Sequence, residues 1–182
     1  MGETTPQSPR GREQPRERAD PILMFLSFHT RIRAALTTLE DLAEGGTHGG
    51  STHKARALVD FFEGPLAWHD LDEEGSLLPR LRGVEHPPRL ERMLDTCSAT
   101  HRAMGEVIED LLPCLRDIAR TGIVDRERLI DAARRMRTLL EPHLKLEEQE
   151  VLPLARLLLS ERDLDDIAEE MERRSSLRRG GT

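Results

Sequence analysis

Apolar residues recur along this chain at alternating steps of three and four, the spacing of a helix face, and no stretch sustains the two-residue alternation of a half-buried strand. The first such stretch opens at Asp20-Pro21, an N-cap acceptor followed by proline at the first helical position, and is expected to run to about Glu44 before the Gly-rich GGTHGGST. A second is expected from about residue 53 to Leu81, with Gly64-Pro65 predicting a kink just before His69. A third spans about Pro88 to Arg120, with Pro113 as a second kink position, and a fourth follows an Asp125 cap to about Leu159. Ser160 and Asp163 form an [ST]-x-x-[DE] capping signal for a short fifth helix over residues 161–174, with SSLRRGGT expected to be loose. Residues 1–19, with Pro6, Pro9 and Pro15 among mixed charges, are expected to be disordered. The pattern therefore divides the chain into a disordered segment at 1–19, a helical domain at 20–159, and a short C-terminal helix and tail at 160–182. Long helices joined by short connections predict an all-α fold, an antiparallel up-down-up-down four-helix bundle with a short C-terminal fifth helix.

The apolar stripes carry polar interruptions. In the first helix the stripe is Ile22, Phe25, His29, Ile32, Leu36, Leu39, and in the third it is Leu90, Leu94, Cys97, His101, Met104, Ile108, Leu111, Leu115, Ile118. The second runs Phe62, Leu66, His69, Glu73, Leu77, and the fourth Met136, Leu140, His143, Glu147, Val151, Leu154, Leu158. Each helix thus sets one histidine on its core-facing side, and two of them add a glutamate. The levels also agree. In an antiparallel hairpin two residues are level when their sequence midpoint falls in the loop. The midpoints of His29/His69, His69/His101 and His101/His143 are 49, 85 and 122, all in expected loops.

Two of these histidines belong to a repeated block. HDLDEEGSLLP at 69–79 and HLKLEEQEVLP at 143–153 share H-x3-E-E-x3-L-P at an offset of 74. Residues four apart on a helix lie on nearly one face, so His69 with Glu73, and His143 with Glu147, each aim an imidazole and a carboxylate at one place. Glu74 and Glu148 lie about 140° round the helix from those histidines and are expected to be solvated or to stand behind the cluster. A lone ionised carboxylate in a core costs several kcal/mol unless partnered, and a metal is the obvious partner for nitrogen and oxygen donors so arranged.

Composition removes other possibilities. The chain has 182 residues, a net charge of −7 and 3% aromatics with no tyrosine, which argues against nucleic acid or an anionic membrane as partner. No apolar run approaches the roughly 20 residues of a membrane span. PILMFLSF lacks a small-residue cleavage site and makes a poor signal peptide. Cys97 and Cys114 form no C-x2-C motif and read as reduced thiols of a cytoplasmic protein.

A histidine from each of four antiparallel helices, joined by carboxylates from two H-x3-E-E-x3-L-P blocks, resembles hemerythrin and the bacterial hemerythrin-like (HHE) domains over about residues 20–159. The resemblance implies a non-haem di-iron centre with an oxo or hydroxo bridge. It implies His29, His69, His101 and His143 as terminal nitrogen ligands, and Glu73 and Glu147 as carboxylates bridging two iron ions. Manganese and zinc stay open as the metal in the cell. The oxygen-carrying members have a second histidine four residues after the one in the third helix. Gly105 stands there in this chain, so four histidines are expected and positions stay open for Asp70, Glu106 or water. Asp70 reads equally as a surface charge or a further ligand, and Glu106 reads as solvated.

The function so implied is binding of oxygen, nitric oxide or peroxide at an open iron position, in gas or redox sensing or in iron handling. The alternative is a di-iron oxidase or peroxidase acting on a small substrate. The sequence names no protein redox partner. His48, His53 and His86, in or beside loops, read as surface residues. Cys97 reads as a small buried hydrophobe. Phe25, Phe28, Phe61, Phe62, Trp68 and Met104 read as core, some of them lining a dry pocket beside the site.

Overall fold

A computed structural model describes residues 19–45 and 50–179, the last two by backbone alone. The expected disordered start falls outside the described residues except for Ala19, as do His48 and the last three residues. The described residues are helical with no strand. Helix α1 is Pro21–Glu44. Helix α2 is residues 51–83, α3 is Pro88–Thr121, α4 is residues 126–158, and α5 is Glu161–Arg179. No helix among the described residues is long and apolar enough to cross a membrane.

The ends form where the local chemistry directs. The Asp20 carboxylate accepts from the amides of Ile22 (2.9 Å) and Leu23 (3.3 Å), with Pro21 at the first turn. Asp125 caps α4 through the Arg128 amide at 3.2 Å. Ser160 and Asp163 exchange the two bonds of a capping box at the start of α5. Gly45, at φ 80°, closes α1 in the left-handed region, where a side chain would also run into Arg126. One boundary differs from expectation: α5 continues through residues 175–179, where the sequence predicts a loose tail.

Two helices are not uniform. In α2 the α-helical pattern gives way to π turns at Phe62–Leu66 and Glu73–Leu77, and in α4 to a third at Glu147–Val151. Pro65 lies within the first π turn. Pro113 lies inside α3, which continues past it. A π turn holds one extra residue, so it advances the buried stripe by one position. Past Glu147 the buried residues are Val151, Leu152, Ala155 and Leu159, whereas Leu154 and Leu158, expected on the stripe, are only partly buried.

Packing contacts join α1 to α2, α2 to α3, α3 to α4 and α4 to α1, with α5 against α1 and α2. The interior divides into two apolar clusters. One includes Ile32, Leu36, Leu58, Leu66, Met104, Leu111, Met136 and Leu140. The other includes Ile22, Phe25, Leu77, Leu94, Cys97, Val151 and Ile167. In each long helix the polar interruptions sit where one cluster ends and the other begins: His29 between Phe25 and Ile32, His69 and Glu73 between Leu66 and Leu77, His101 between Cys97 and Met104, and His143 and Glu147 between Leu140 and Val151. A polar layer therefore lies across the apolar interior.

Candidate metal centre

The layer is closed to solvent. His29 and Glu73 are 0% exposed, Glu147 2%, His69 and His143 4%, and His101 7%. The structure brings all six together. Glu73 sets Oε1 3.3 Å from His69 Nε2 and Oε2 3.1 Å from His101 Nε2. Glu147 sets Oε1 3.3 Å from His143 Nε2 and Oε2 3.3 Å from His29 Nε2. Each carboxylate thus offers one oxygen to the His29/His69 pair and the other to the His101/His143 pair. Two donor groups result, each with atoms within 4.8 Å of one another: Glu73, His101, His143 and Glu147 in one, and His29, His69 and Glu73 in the other.

Closeness here does not satisfy the donors. His29 Nε2, His69 Nε2, both Glu73 oxygens and Glu147 Oε2 are buried without a hydrogen-bond partner. Buried polar atoms are nearly always paired, so five orphans aimed into one layer need another occupant. Imidazole nitrogen with carboxylate oxygen is the donor set of a zinc, manganese or non-haem iron ion, and the residues present fit such a group.

The glutamates that follow each carboxylate face outward, as their place on the helix predicts, and each meets a histidine of a neighbouring helix. Glu148 Oε1 accepts from His29 Nδ1 at 3.0 Å, and Arg33 grips the same carboxylate with two bonds of 2.8 and 2.9 Å. Glu74 Oε1 accepts from His101 Nδ1 at 2.7 Å, and Ser98 donates to its other oxygen at 3.0 Å. A carboxylate only accepts, so these bonds fix the ring proton on Nδ1 and leave Nε2 for the interior. Phe28 stacks on His69 with centroids 4.4 Å apart, and Phe25 meets that ring edge-on at 5.8 Å.

The charges sort unevenly. Burial works against the His29 and His101 cations, but Glu147 and Glu73 around His29, and Glu73 beside His101, outweigh it and push both up to about 10. Burial holds His69 down to about 4 and His143 to about 3. Glu73 is buried too, yet the imidazoles of His69, His101 and His29 keep it well below the usual carboxylate range. Burial and the charge of Glu73 push Glu147 up. Without a cation, then, protons occupy part of the donor set.

Asp70 is more than a surface charge. Its Oδ1 is buried without a partner, and burial pushes its carboxyl up to about 7. It belongs to neither group of converging donors. Glu106 and His53 are exposed, and His86 is partly buried in its loop. Cys97 and Cys114 are free and buried in the apolar clusters. Phe25, Phe62 and Met104 are fully in the core, while Phe28, Phe61 and Trp68 are only partly buried.

What the sequence reading missed comes from α5. Glu170 accepts two bonds from Arg80 (2.8 and 3.1 Å) and one from Ser76, while Arg174 binds Asp72 at 2.5 Å and also reaches Ser76. These residues hold both ends of the π turn that starts at Glu73. The only sequence signal was the capping box, which marks a helix but not its seat.

A family model described as the hemerythrin HHE cation-binding domain matches residues 20–155, which include all six clustered side chains and stop before α5. Among curated proteins, none matches the chain. With the matched segment covering most of its length, the chain belongs to the hemerythrin HHE cation-binding domain family.

Proposed function

We propose that the chain holds a non-haem di-iron centre and binds oxygen, nitric oxide or peroxide at an open iron position. One observation carries this reading: Glu73 and Glu147 each divide their two oxygens between the two histidine pairs, the arrangement that two neighbouring metal ions require. His29 and His69 would hold one ion and His101 and His143 the other, with Glu73 and Glu147 shared between the two. The pair of irons, when bound, supplies reversible one- or two-electron chemistry toward such ligands. The protein's own part is to orient these donors. Glu148 and Glu74 hold the rings of His29 and His101 with Nε2 inward. Phe25 and Phe28 pack against the ring of His69 and hold its orientation. The alternation of the two apolar clusters from helix to helix supports an antiparallel up-down-up-down four-helix bundle, with α5 as an added fifth helix. Buried free thiols and the lack of a membrane-length apolar helix among the described residues support a cytoplasmic location.

The test is metal analysis of His101→Ala beside the parent protein. Loss of iron together with a lower melting temperature is expected. Unchanged iron would remove His101 from the set. Spectra with and without oxygen and nitric oxide then report ligand binding.

A second reading, a di-iron oxidase or peroxidase acting on a small substrate, is favoured by a groove of about 530 Å³ that reaches the His69 side of the layer. Turnover with peroxide, or with oxygen and a reductant, separates it from ligand binding alone.

A further inference from the structure

The groove lies between α1, α2 and α5, with Met24 and Phe28 from the first, Trp68 and His69 from the second, and Met171 from the third. Its volume falls within the range of small-molecule sites, roughly 300–1,000 Å³. Phe28, Trp68, Met24 and Met171 supply aromatic faces and thioethers to part of its lining, and thioethers adapt to irregular apolar bodies. One wall touches a proposed metal-binding residue, because His69 lies under the stacked ring of Phe28.

The charges in the lining decide what kind of molecule fits. The two acids are already matched: Asp20 binds Arg156 at 2.5 Å, and Asp72 binds Arg174 at 2.5 Å. Arg31 is different. Its guanidinium sits 4.8 Å from the Phe28 centroid and 5.9 Å from that of Phe61, and among the described residues no carboxylate pairs with it. The ring contacts keep this exposed cation at the groove mouth while leaving its donors unused. The groove therefore carries one uncompensated positive charge beside an apolar, aromatic floor. The wall holding Met171 belongs to α5, beyond the segment that the family model matches.

We propose that this groove binds a small aromatic monocarboxylate, its ring laid against Trp68 and Met171 and its carboxylate paired with Arg31. The proposal adds a substrate class to the oxidase reading, but binding itself does not depend on metal.

Trp68 is the single tryptophan of the chain, so its emission reports occupancy of the groove without a label. The 182-residue chain is titrated with benzoate and, as an uncharged match, benzyl alcohol. Benzoate should give a saturable change in Trp68 emission, with one site per chain by calorimetry. Arg31→Gln should weaken benzoate at least about fivefold and leave benzyl alcohol unaffected, because only the charge-assisted contact is lost. Arg31→Lys should restore part of the affinity. A change that does not saturate, or benzoate binding untouched by Arg31→Gln, overturns the proposal. Iron is measured on the same samples. Benzoate binding in a chain without iron leaves this site standing and removes the oxidase reading. Iron present without benzoate binding does the reverse.

Discussion

Removing the metal should destabilise this protein far more than removing any single side chain. Besides His143 Nδ1, five side-chain atoms of the layer are buried without a hydrogen-bond partner: His29 Nε2, His69 Nε2, Glu73 Oε1 and Oε2, and Glu147 Oε2. At about 1–3 kcal/mol for each orphaned group, they represent roughly 5–15 kcal/mol, as much as the whole stability of a typical domain. Two ions held at a thousand times their dissociation constants would add about 4 kcal/mol each, or about 8 kcal/mol together. For a chain of this size 1 kcal/mol moves the midpoint by about 2–4 °C, so stripping both ions should lower it by about 15–30 °C. The assay is a thermal melt followed by circular dichroism, run on protein as isolated, after chelator and dialysis, and after reloading with ferrous iron. Elemental analysis of each sample confirms removal and return. A midpoint that moves by less than about 5 °C on complete removal would show that the orphaned donors do not depend on a cation.

Other outcomes follow from neighbouring contacts. Glu148→Gln should keep the bundle folded but loosen His29, lowering metal affinity about tenfold or more, read by competition with a chelator, since partners behind a ligating histidine typically contribute that much. Metal uptake near pH 7 should release protons and strengthen as pH rises. His29 and His101 are raised to about 10, so below that pH the folded protein holds their protons and a cation must displace them; calorimetry in buffers of different ionisation heat measures the release. Gly105→Ala should stabilise by about 0.5–1 kcal/mol in chemical denaturation with iron content unchanged, because a Cβ there meets no atom and helix-interior glycine is costly. Arg174→Ala should cost about 1–2 kcal/mol through its bonds to Asp72 and Ser76 and also weaken metal retention through the Glu73 turn; a loss of stability with unchanged metal affinity would show that α5 acts on packing alone.

The layer was legible in the sequence because it interrupts a regular signal. A histidine on a stripe of leucines and isoleucines stands out, and the loop midpoints fixed its level with the others before any coordinate. Glu73 and Glu147 were separable from Glu74 and Glu148 for the same reason: a step of four keeps a side chain on the face and a step of five turns it away. Whether the turned-away pair met water or protein was not legible, because Glu148 meets His29 and Arg33 across 115 or more residues, and such contacts leave no local trace. Arg33 could have been suspected, one turn beyond His29 on the same side of α1. The π turns were invisible to a fixed period, and the one beginning at Glu147 moved the stripe from Leu154 and Leu158 to Ala155 and Leu159. The length and seat of α5 were missed because its polar anchors, Glu170 and Arg174, read as solvated charge until Ser76, Arg80 and Asp72 are placed beside them.

If these six side chains hold two iron ions as one joined pair, iron quantitation with Mössbauer spectroscopy on protein purified in air will detect it. Two irons per chain are expected, magnetically coupled through their shared bridges, with that coupling lost in Glu73→Ala because the Glu73 carboxylate reaches both histidine pairs. A single iron per chain, or two that behave as isolated ions, would rule out a joined pair.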